Sequence, residues 1–85
     1  MKQYSVATIL INHSKEIYAA VDKVKTKADL PSVTKVVENV LNENKAAVRD
    51  KLAAHKCVEY LKIAEQKSIA AYTGTLVTYM GGGKI

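Results

Sequence analysis

Apolar side chains recur at steps of three and four through most of this chain, and that spacing constrains its fold more than any other feature. Val6, Ile9, Leu10, His13, Ile17, Ala20, Val21 and Val24 fall on one side of a helix, with Asn12, Lys15, Glu16, Ala19 and Lys23 opposite. Tyr4 to Ile11 is also rich in β-branched residues and would suit a strand; the regular continuation to Val24 favours helix. Lys25 to Pro31 is the clearest break. Asp29 or Ser32 can cap a following helix by accepting backbone N–H bonds. Pro31 fits a first helical turn, where its missing N–H is not needed. Val33, Val36, Val37, Val40 and Leu41 then mark one face of a second helix.

Phase locates the next break. At about 100° per residue, the stripe of residues 33–41 lies roughly 120° from the one that dominates after Lys45. A tight turn at 42–44 lets both face one core, although Val48 and Leu52 partly continue the earlier stripe and a long bent helix is the alternative. A third helix is expected from Lys45 to Tyr72. Its inner face would be Ala46, Ala53, Ala54, Cys57, Leu61, Ala64, Ser68, Ala71 and Tyr72, an Ala-rich strip suited to close helix contact. After Thr73-Gly74, the composition of Thr75 to Met80 is β-like, which predicts a short strand or an extended arm. Gly81-Gly82-Gly83-Lys84-Ile85 is expected to be mobile.

The expected architecture is thus mainly α: a small three-helix domain of antiparallel helices, the third one long, with an extended C-terminal tail that could hold one short strand. Residues 1–80 form the single helical domain and 81–85 the flexible end. The chain has 85 residues and no disulfide, since Cys57 is its only cysteine, so its core must suffice alone. That core has no Trp and no Phe and relies on Ala, Val, Ile and Leu with five Tyr. Small side chains bury little area each, so a second copy would help offset the deficit. A lone cysteine fits a reducing compartment, and a cytoplasmic location is expected. The run from Tyr4 to Ile11 lacks a signal-peptide pattern. The uncharged stretch from Ser68 to Gly83 falls short of the ~20 apolar residues of a spanning helix.

Catalytic motifs lack their partners. His13 sits in the apolar stripe with no other metal-ligand type at ligand spacing. His55 lies two residues from Cys57, and such neighbours point to different faces of a helix. Cys57 reads as a small hydrophobe. The acids are scattered and form no facing carboxylate pair; Asp50 and Glu65 fall nearest the apolar side of the third helix, where they would flank a contact and pair with Lys or Arg. The terminal glycines and Lys84 share residues with a phosphate loop but have no following helix. No enzyme activity, metal or cofactor is expected.

Charge offers one organised feature. The formal net charge is +5, from 13 basic and 8 acidic residues, and Arg49 is the only arginine. On a single helical wheel Lys45, Arg49, Lys56 and Lys67 fall within about 40°, with Tyr60 beside them. Such a stripe could neutralise phosphates without reading sequence. Two functions follow as expectations. The leading one is a non-enzymatic interaction or assembly protein that binds itself or another protein, with Ala54, Leu61, Tyr72, Leu76, Val77 and Tyr79 as contacts. The alternative is a nonspecific nucleic-acid-binding accessory protein that uses Lys45, Arg49, Lys56, Tyr60 and Lys67. An interfacial membrane role for residues 68–80 is a lesser option. Size and a Lys- and Asn-containing composition suit a bacteriophage or accessory-genome product.

Overall fold

Ser5 starts the first helix. Its hydroxyl accepts the Thr8 N–H at 3.2 Å and so satisfies one of the free donors of the first turn. Helix α1 spans Val6–Asn12 and α2 spans Ser14–Asp22. His13 separates them. Its backbone N–H bonds Leu10 at 3.1 Å, a tightened turn, while its carbonyl still accepts from Ile17 at 3.1 Å. Its Nδ1 lies 2.9 Å from the Ile9 carbonyl, which requires that this nitrogen carry the proton. The break is mild, so α1 and α2 keep one stripe: Val6, Ile9, Leu10 and Ile17 are all buried. These positions follow the sequence expectation of helix, not strand. The computed structural model describes residues 2–81.

A 3-10 turn at Lys27–Asp29 leads into α3, Leu30–Glu43, with Pro31 in its first turn. Asp29 does not cap α3 as expected. Its carboxylate reaches back to the N–H groups of Lys25 (2.9 Å) and Thr26 (3.0 Å), closing a capping box with Thr26 around the 3-10 turn. Those two donors hold its pKa below the ordinary carboxylate value. Val33, Val37, Val40 and Leu41 are buried, as the stripe required.

The expected third helix from Lys45 to Tyr72 is corrected at both ends. After Asn44, a 3-10 turn at Lys45–Ala47 gives way to extended backbone at Val48. Here Tyr4 N–H bonds Ala47 at 2.7 Å and Arg49 N–H bonds Tyr4 at 2.8 Å, a single parallel bridge and the described residues' only β-pairing. Helix α4 then runs Lys51–Glu65, capped by the Asp50 carboxylate, which accepts Ala53 N–H at 3.1 Å. A second break falls at 66–68. Ser68 accepts the Ala71 N–H at 3.0 Å and starts α5, Ile69–Gly81.

Residues 75–80 are therefore helix, neither strand nor arm. Tyr72, Leu76 and Met80, one turn apart, are buried. The Thr75 and Thr78 hydroxyls donate to the carbonyls of Ala71 (2.9 Å) and Gly74 (2.8 Å), four residues back, which accommodates these β-branched residues in the helix. Of the expected flexible end, Gly81 closes α5 and residues 82–85 lie outside the described residues.

The described residues thus hold five α-helices rather than three, arranged as four rods because α1 and α2 share an axis stripe. The start of α1 meets the residues after α3 through Tyr4. The start of α3, the end of α4 and the start of α5 meet at Thr34, Glu65 and Tyr72. Successive rods therefore alternate in direction, and α5 closes the bundle by packing on both α4 and α1. The result is elongated, 40 × 24 × 22 Å.

Candidate interaction surfaces

One polar cluster lies inside the bundle. Thr34 of α3, Glu65 of α4 and Tyr72 of α5 are all buried. A carboxylate only accepts, so Thr34 donates its single hydroxyl proton to Glu65 and accepts the Tyr72 O–H at 2.7 Å. Every buried polar side-chain atom among the described residues has a partner. Burial, with the nearby Glu65 and Cys57 adding to it, pushes the Tyr72 phenol up to about 12 despite the opposing Thr34 bond. The cluster ties three rods in one register, since a one-turn slip of any would strand a buried polar group. Among the described residues no Lys or Arg comes within ion-pair distance of Glu65, contrary to expectation, and Asp50 serves as a helix cap instead.

The remaining reactive groups stand apart. Cys57 is fully buried, and desolvation pushes its thiol up to about 12, far from the thiolate a nucleophile needs. His55 is exposed, 3.9 Å from Glu59 on the next turn. Among the described residues no group of three His, Cys, Asp or Glu comes together to hold a metal, and no helix is long and apolar enough to cross a membrane.

The expected contact residues divide sharply. Leu61, Tyr72 and Leu76 are buried in the chain's own core. Ala54 and Tyr79 are half-buried against that core. Only Val77, 46% exposed, faces outward. Ala46 and Ser68, placed on the inner face by the single-helix reading, are exposed.

The expected basic stripe is also divided. Lys45 lies in the turn before Val48, Arg49 in the extended stretch, and Lys67 in the turn before α5. With helix broken at 48–50 and 66–68, one wheel does not relate these residues to Lys56. Lys56 and Tyr60 do remain on the outer face of α4, one turn apart and exposed.

Sequence reasoning missed a surface that the bundle assembles. α1–α2 runs beside α5 in the opposite sense: Ala7 lines a cleft with Thr78, and Val21 lines a 70 Å³ cavity with Ile69 and Thr73. Ile11 and Tyr18, seven residues apart and so on one side of their rod, are exposed between those points. Across from them Ile69 and Val77 are exposed on α5. No charged residue occurs between Lys67 and Lys84, so α5 contributes none to this face. The signal was present as that charge-free run, but only a helical α5 gives it an inside and an outside.

Compared with known proteins, the chain matches no protein-family model, no curated protein and no solved structure.

Proposed function

We propose that this is a non-enzymatic interaction protein that self-associates through the face shared by α1–α2 and α5. The observation that carries this reading is the gathering of Ile11, Tyr18, Ile69 and Val77, all exposed, beside a helix with no charge, in a chain one-quarter charged. Copies carrying a net charge of +5 repel one another, and the charge-free outer side of α5 is where they can meet at least electrostatic cost. Of the contact residues the sequence suggested, Val77 is kept, while Leu61, Tyr72 and Leu76 build the monomer and the outer face of α5 is left for the partner.

Light scattering on the full chain tests this. The native protein is expected to gain mass with concentration. Val77→Glu, which places charge on the exposed face without entering the core, is expected to stay monomeric with an unchanged helical circular dichroism spectrum. A native protein that remains monomeric throughout contradicts the reading.

A further inference from the structure

The three most exposed large apolar side chains among the described residues are elsewhere, on the outer face of α4: Leu52 at 62%, Ile63 at 53% and Tyr60 at 50%. At 100° per residue they fit within about 80° of arc, and Leu52 and Ile63 stand about 16 Å apart along the helix. Lys56 falls inside that arc. Lys62 lies about 80° outside it, on the groove side beyond Glu59, and Lys67 follows in the turn at its end. None of these lysines is ion-paired among the described residues, whose single pair is His55 with Glu59. Lys51 differs, since its ammonium donates to the Lys45 carbonyl at 2.9 Å.

We propose that α4 is an interfacial helix that lays this crest on an anionic lipid surface. Charge and shape together select that occupant. The lysines call for a negative surface, and Glu59 is the only acid on the crest. The crest belongs to an outer rod and is convex, so it matches a plane rather than a peptide helix, which needs a groove. The groove beside it, toward α3, carries both signs of charge, Glu38 and Glu59 with Lys45, Lys51 and Lys62, and so selects no acidic or basic segment. A nucleic acid would be held by the lysines but gains nothing from Leu52 and Ile63. A bilayer uses both: aliphatic side chains enter the headgroup boundary, while lysine stems lie along it and their ammonium groups meet lipid phosphates and carboxylates.

The test is co-sedimentation of the full chain with phosphatidylcholine vesicles, with and without phosphatidylserine, at low and high salt. Binding is expected only with phosphatidylserine and only at low salt. Lys56→Gln with Lys62→Gln is expected to lower the partition coefficient by about fivefold per lysine. Leu52→Ser with Ile63→Ser is expected to lower it at least tenfold at unchanged charge. All four positions are exposed, so these variants keep the fold, which circular dichroism verifies. No binding to phosphatidylserine vesicles overturns the proposal. So does full binding by the Leu52→Ser, Ile63→Ser variant, or retention of duplex DNA without retention of vesicles. Val77→Glu lies on a different face and is expected to bind vesicles normally, so failure of self-association and failure of this inference read out separately.

Discussion

At the scale of single residues, Thr34 carries more than its size suggests. Among the described residues it is the only link between the Tyr72 phenol and the Glu65 carboxylate. Thr34→Val keeps the shape and removes that link, leaving both groups buried without it. Urea unfolding is expected to show a loss of about 1–3 kcal/mol, against about 1 kcal/mol for Tyr72→Phe, which removes only one donor. Alkaline stability follows from the same interior. The Cys57 and Tyr72 protons are held in the folded chain up to about 12, while in the unfolded chain they leave near their ordinary values of 9.0 and 10.0. Between those limits the folded state binds more protons than the unfolded one, so stability falls as pH rises. Thermal melts are expected to be flat in this respect below about pH 9 and to drop progressively above it. Cys57 is likewise expected to resist iodoacetamide in the folded protein and to react once denaturant is added.

At the scale of elements, the legible parts were those whose stripe and punctuation agreed. Val6 to Val24 reads as helix because every third or fourth residue is apolar; the structure is helical as far as Asp22 with a mild interruption at His13, buries Val6, Ile9, Leu10 and Ile17, and half-buries Ala20, Val21 and Val24. Pro31 and the phase change at 42–44 mark real boundaries. The break at 66–68 was invisible to the same reasoning because no Gly or Pro stands there; its signal was Ser68 as a helix cap, three residues before Ala71. The last helix was misread because Thr75, Val77 and Thr78 favour strand locally. The i, i+4, i+8 placement of Tyr72, Leu76 and Met80 against the core overrides that preference. Adjacent substitutions separate the two readings. Leu76→Ala is expected to cost about 2–5 kcal/mol as a core cavity, while Val77→Ala next to it changes stability by no more than about 0.5 kcal/mol. An extended arm would make the two alike.

At the scale of the whole molecule, the chain solves its shortage of large side chains by closing four rods around Leu10, Ile17, Leu30, Leu61, Tyr72 and Leu76. The candidate surfaces were less legible than the fold, because exposure depends on which rods are neighbours. The basic stripe existed only on a continuous helix, whereas the apolar α1–α2/α5 face exists only once α5 folds back. The two halves of α5 thus have separate duties, an inner one within the monomer and an outer one toward a second copy. Amide hydrogen exchange followed at low and high protein concentration tests that division directly. Amides from Tyr72 to Met80 are expected to be protected already in the dilute monomer. Added protein should then slow exchange further along α1–α2 and α5 but not along α3. Protection of 72–80 that appears only on association, or exchange along α5 that ignores concentration altogether, would contradict it.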